Sequence, residues 1–161
     1  MTNKIRICSY KEAEDFAKTV SEDWAIISIS GHENKWPTFP EKFCNPVCKL
    51  WFDDLNFDII AHERGGEEEI KKLKNAGYIF ADFEQIIMAI KYAREFKDKP
   101  LLIHCAAGIS RSPAIGLVIL YDRLKNYRLA TEELCKICNP DLINPNGYII
   151  RLGREVIGCK M

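Results

Sequence analysis

The stretch Leu101–Pro113, LLIHCAAGISRSP, limits what this chain can fold into more than any other. Three apolar residues run straight into His104 and Cys105. Two alanines, Gly108, Ile109, Ser110, Arg111 and Ser112 follow before Pro113. Beyond it, Ala114, Ile115, Leu117, Val118, Leu120 and Tyr121 recur at helical spacing. The pattern predicts a short buried strand that stops at a cysteine, then a tight loop, then a helix over Ser112–Leu124. Ser112 is a good N-cap there, and Pro113 suits the first turn, where a missing N–H leaves no bond unmade.

That geometry has a chemistry. Backbone N–H groups of a loop entering a helix converge on one spot, and the helix dipole makes the spot attractive to an anion. The small residues Ala106, Ala107 and Gly108 let the backbone approach a ligand closely. Arg111 can grip two oxygens of a phosphate with its planar fork. Cys105 lies at the floor of the same cradle, whose positive field favours a thiolate, and a thiolate facing bound phosphorus is a nucleophile in place. Ser112 can hydrogen-bond the sulfur and steady it as a leaving group. A buried structural cysteine is the plainer alternative. His-Cys, five residues, then Arg-Ser, set between an apolar strand and a capped helix, argues for a phosphate-handling site.

The string HCAAGISRS resembles the active-site signature of the cysteine-dependent protein tyrosine phosphatases, in their compact dual-specificity-like branch. The resemblance implies an α/β fold with a central, mostly parallel sheet flanked by helices. It implies phosphate binding by Ala106–Arg111, with Cys105 as nucleophile, and His104 as a buried support for the loop rather than a proton shuttle. Asn146, in NPNGYII, resembles an asparagine that braces that loop in this branch, although a plain turn residue before a helix reads equally well from the sequence.

Expelling an alkoxide or phenoxide from a phosphate ester calls for a general acid, worth about 10²–10⁴-fold in rate. Asp53-Asp54 follows the apolar-aromatic run KLWF and suits a strand end facing the cradle. An acidic pair at a strand end also reads as a solvated turn. LWFDD is similar to the FDD form of the family's acid loop, which favours Asp54 over Asp53 as acid, with Asp58 third. The gap from Asp54 to Cys105 is longer than in the most compact family members, and the surplus falls on Leu55–Tyr78: a lid, a partner surface or a passive insertion.

The rest of the chain fits an α/β order. Lys4–Cys8 alternates as a strand, Lys11–Val20 is helical with Ser9 nearby as a cap, Trp24–Ser30 is a buried, central strand, and Lys49–Phe52 is the next strand. The segment around EEEIKKLKN reads as an exposed helix, Ile79–Phe96 as an amphipathic one, Thr131–Cys138 as a helix capped by Thr131, and Asn146–Val156 as the last. One domain over 1–161 is expected.

Composition narrows the function further. A formal net charge of zero gives no general electrostatic case for nucleic acid or an anionic membrane. No apolar run is long enough for a signal peptide or a membrane span. Seven cysteines, an odd number, with no export signal, point to a reducing, cytoplasmic setting without structural disulfides. Cys44/Cys48 and Cys135/Cys138 have finger-like spacings, but Leu134, Cys135 and Cys138 share a helical face, and buried thiols read better than zinc. No metal and no cofactor is expected.

The loop interior, Ala106–Ser110, holds no lysine or second arginine, so the expected substrate carries a single phosphate: a phosphoprotein, with phosphotyrosine ahead of phosphoserine and phosphothreonine. Trp36, Phe39 and Trp51 either line the slot or belong to the core. The expected protein is a monomeric phosphatase that works through a phosphocysteine intermediate. Two alternatives are a catalytically silent phosphate-binding module and a rhodanese- or arsenate-reductase-type cysteine enzyme.

Overall fold

The run Ala25–Ser30 has no polar face, which suits a strand covered on both sides. In the computed structural model, which describes residues 4–159, it forms β2 (Ala25–Ser30) and is buried throughout. The other strands are β1 (Ile5–Ser9), β3 (Cys48–Trp51) and β4 (Leu101–Cys105). They make a four-stranded sheet in the order β1-β4-β2-β3, with every pairing parallel. β4 therefore lies inside the sheet, and its carboxyl end carries Cys105.

Helices cover both faces. Alternation along β4 sends Leu101, Ile103 and Cys105 into the larger core, with Ile86 and Ile90 of α4 (Phe83–Glu95), Ile115 and Ile119 of α5 (Arg111–Leu124), and Ile149 and Leu152 of α7 (Gly147–Gly158). Leu102 turns to the opposite face, where it meets Cys8, Trp24, Phe43 and the alanines Ala13 and Ala17 of α1 (Tyr10–Thr19). A third cluster seats α6 (Tyr127–Ile137) on α5 through Leu117, Leu120, Ala130 and Leu134. Ser9 caps α1 in a reciprocal box with Glu12.

Several boundaries depart from the sequence reading, each for a local reason. The apolar period from Ile79 does not start a helix, because Asp82 caps α4 by accepting the Gln85 N–H and leaves 79–81 outside it. α6 begins at Tyr127 under an Asn126 cap, and Thr131 sits inside it, its hydroxyl turned back to the Tyr127 carbonyl. Ser112 is not the cap of α5; Ser110 holds that position and makes no side-chain cap bond. The surplus segment Leu55–Tyr78 holds the expected helix over EEEIKKLKN, as α3 (Gly66–Asn75), and also a helix that the sequence reading lacks, α2 (Phe57–Glu63), capped by Asn56.

Candidate active site

β4 delivers Cys105 to the carboxyl end of the sheet, and the chain turns over it into α5. Cys105 is only 2 % exposed, while Ala106 and Ala107 are open to solvent. Its Sγ accepts the Gly108 N–H at 3.2 Å and lies 3.2 Å from Ser112 Oγ. Gly108 has φ +74°, and a Cβ there would come within 2.6 Å of the Cys8 carbonyl carbon. Only glycine fits this turn without strain. The first-turn amides of α5 receive no side-chain cap, which leaves that helix end available to an anion.

His104 supports the loop from the opposite face. Its Nδ1 meets the Cys105 carbonyl at 3.3 Å, and its Nε2 lies 2.5 Å from Ser28 Oγ. A carbonyl only accepts, so Nδ1 carries the proton and Nε2 accepts from the serine hydroxyl. Burial pushes the imidazole down to about 4 against the bond to Cys105, and the Arg111 charge adds to the lowering. The ring is neutral at pH 7.

The two aspartates after β3 have different environments. Asp53 is buried and fully engaged: Oδ1 accepts from the His32 backbone N–H at 3.1 Å and from His32 Nδ1 at 2.7 Å, and Oδ2 accepts the Ile79 N–H at 2.7 Å. Burial opposes its charge, but the bonds from Ile79 and His32 outweigh this and hold the carboxyl below the usual carboxylate range. Asp54 is exposed and turns to the cysteine loop. Its Oδ1 accepts from Ser110 Oγ at 2.7 Å and from Asn146 Nδ2 at 2.9 Å. Asn146 also caps α7, accepting the Tyr148 and Ile149 N–H groups, and its own N–H donates to the Ser110 carbonyl. Asp58 stands apart, in a double ion pair with Arg151.

A cleft of about 700 Å³ opens between these groups. Asp54, Ala106 and Arg111 line one part, and Tyr10, His32, Lys35 and Tyr78 line another. Arg111 Nη1 donates to the Phe52 carbonyl at 3.0 Å, which ties the cysteine loop to the end of β3. Trp36, Phe39 and Trp51 are not among the lining residues. Trp51 Nε1 donates to the Gly31 carbonyl, and Phe39 packs in the core beside His104. The residues that sequence reasoning missed are Tyr10, His32 and Tyr78. Each comes from a different segment, and only strand pairing brings them together.

No protein-family model matches the sequence, and no curated protein does. Solved structures do. The chain is similar to Tk-PTP in its active form, over 98% of this chain and 93% of that one, with a TM-score of 0.59 at 16% identity. It is similar to PTPMT1, over 96% and 90%, with a TM-score of 0.62 at 12% identity. It is also similar to the human tyrosine phosphatase-like serine/threonine/tyrosine-interacting protein, over 94% and 89%, with a TM-score of 0.61 at 16% identity.

The fold is that of the protein tyrosine phosphatases. On this phosphatase fold two thiols outside the loop are buried. Cys8 is paired with His104 in the β1–β4 register and faces α1, and burial pushes it up to about 12. Burial does the same to Cys48. All seven cysteines are free, and among the described residues no three His, Cys, Asp or Glu side chains gather as metal ligands, so the four thiols at finger-like spacings do not converge. Among the described residues no helix is long and apolar enough to cross a membrane.

Proposed function

We propose that this chain is a phosphatase that hydrolyses phosphomonoesters through a phosphocysteine intermediate, with protein phosphotyrosine the leading substrate and phosphoserine and phosphothreonine next. The observation that carries the reading is the joining of two halves. The cysteine loop and the acid loop meet directly, through Ser110 and Asn146 on Asp54 and through Arg111 on Phe52. A phosphate-binding module has no need to hold a carboxylate over its cradle.

The chemistry then runs in two displacements. The amides of Ala106, Ala107, Ile109 and Ser110 and the Arg111 guanidinium bind the phosphoryl oxygens, with Gly108 allowing the turn that brings them together. Cys105 Sγ attacks phosphorus, the ester P–O bond breaks, and Asp54 gives its proton to the departing oxygen. The Gly108 N–H and the Ser112 hydroxyl, both at Sγ, stabilise the sulfur as an anion before attack and again as it leaves. In the second displacement Asp54, now a carboxylate, takes a proton from water as that water attacks the phosphocysteine; the S–P bond breaks and phosphate departs. Asp53 serves as a support, since all its bonds are to the protein's own amides and imidazole.

Solved neighbours include PTPMT1 in complex with PI(5)P. In this chain the loop interior offers no basic side chain besides Arg111, and Lys35, at the cleft wall, is paired with Glu33. That charge pattern favours a singly phosphorylated protein over a polyanionic headgroup. The site calls for no cofactor. The test is turnover of p-nitrophenyl phosphate in chelator and reductant by wild type and Cys105→Ser. Hydrolysis by the first alone supports the proposal; hydrolysis by both, or by neither with vanadate still bound, defeats it.

A further inference from the structure

His32 stands in an unpatterned loop and belongs to no motif, yet the fold ties it to the acid loop. Its backbone N–H and its Nδ1 both meet Asp53 Oδ1. Its ring lies on Tyr78, with centroids 4.2 Å apart. Asp53 exchanges two further bonds with Ile79: the Asp53 N–H donates to the Ile79 carbonyl at 2.8 Å, and Oδ2 accepts the Ile79 N–H. Three segments distant in sequence thus meet at one carboxylate: the turn after β2, the end of β3 and the exit from α3. The next residue along the chain is Asp54, whose own bonds come from the α5 and α7 side of the cleft.

We propose that His32 is a positioning residue for proton delivery: by holding Asp53 to the turn after β2 and resting on Tyr78 at the α3 exit, it fixes the main chain that presents Asp54 to the cysteine cradle. The inference rests on the phosphatase reading above and gives the 55–78 segment a role in it. Gly31 fits the same picture, because a Cβ at that position would overlap Asp53 Oδ1. Removing the imidazole leaves Asp53 its bonds to Ile79 and to the His32 backbone. The loop then loosens instead of collapsing, and the loss falls on the placement of Asp54.

The experiment compares kcat/KM, which reports only the steps through phosphocysteine formation, on phenyl phosphate, whose leaving group needs a proton, and on 2,4-dinitrophenyl phosphate, whose leaving group departs as an anion. The proteins are wild type, Asp54→Asn, His32→Ala and His32→Asn. Asp54→Asn loses rate selectively on phenyl phosphate. His32→Ala shows the same bias in smaller measure, with the phenyl phosphate loss about tenfold greater than the dinitrophenyl loss, within the span of general-acid effects. His32→Asn recovers most of the difference, because its amide N–H stands where Nδ1–H does. Equal losses of His32→Ala on both esters, no loss on either, or an Asn variant no better than Ala overturns the inference while leaving the acid assignment intact. An unbiased Asp54→Asn overturns the acid assignment and this inference with it.

Discussion

Asn146 donates its side-chain N–H to Asp54 at 2.9 Å while the oxygen of the same amide caps α7. One side chain therefore ties a helix start to the proposed acid, and its backbone N–H adds a bond to the cysteine loop at Ser110. Asn146→Ala should lose about 1 kcal/mol of stability as a missing cap. It should also lose kcat on phenyl phosphate by more than that stability loss explains. Urea unfolding beside steady-state kinetics separates the two, and Asn146→Asp, which can cap but cannot donate to a carboxylate, should keep the stability and not the rate.

Ser112 is fully buried with its hydroxyl at the Cys105 sulfur. In the proposed reaction the sulfur is the leaving group only in the second displacement, so Ser112→Ala should slow breakdown of a phosphocysteine more than its formation. Rapid-quench trapping should then find phosphoenzyme accumulating after a burst. A single slow phase with no phosphoenzyme would place the serine elsewhere in the reaction.

Gly108→Ala should abolish activity. A side chain at φ +74° costs about 1–2 kcal/mol by itself, and this one would also press on the Cys8–Ser9 peptide that the loop crosses. The thermal midpoint should drop, and vanadate should no longer bind. A well-folded Gly108→Ala that binds vanadate as wild type does would refute the tight-turn account.

His104 makes stability depend on pH in a definite direction. Burial holds the folded imidazole near 4, against 6.5 for the ordinary group. Between those values the unfolded chain binds the proton and the folded one does not, so acid favours unfolding. The contribution is complete above about pH 6.5 and declines as the pH falls toward 4, by roughly 3 kcal/mol in all. Urea midpoints at pH 7.5, 5.5 and 4.5 should show His104→Gln losing less stability on acidification than wild type.

The parts of the site legible in the sequence are those written in one short stretch. Strand, cysteine, small residues, arginine and helix are contiguous, and their chemistry follows from residue type. Asn146 was legible as a helix-start residue for the same reason. Ser112 misled because it has the chemistry of a cap, yet its hydroxyl is drawn to the thiol and the cap position falls to Ser110. The Ile79 start of α4 misled because apolar spacing runs through 79–81, whereas the backbone of Ile79 is engaged by Asp53. His32 was illegible because its partner is far along the chain and comes close only when β2 and β3 pair.

The strand that carries Cys105 is also the last of the four described strands to leave the ribosome. β1 and β2 follow one another in sequence but are not paired with each other; β4 fills the place between them, with Ile5 and Ala25 both registered on Leu101. Until that segment is synthesised, β1 has only an open edge, and the sheet must wait for a closure spanning most of the chain. Chains that stop short of β4 can pair β2 with β3 but leave β1 without a partner and one side of β2 open. A chain that has closed its sheet has, by the same event, brought Cys105 to the loop before α5, so closure of the sheet and assembly of the proposed site are one step.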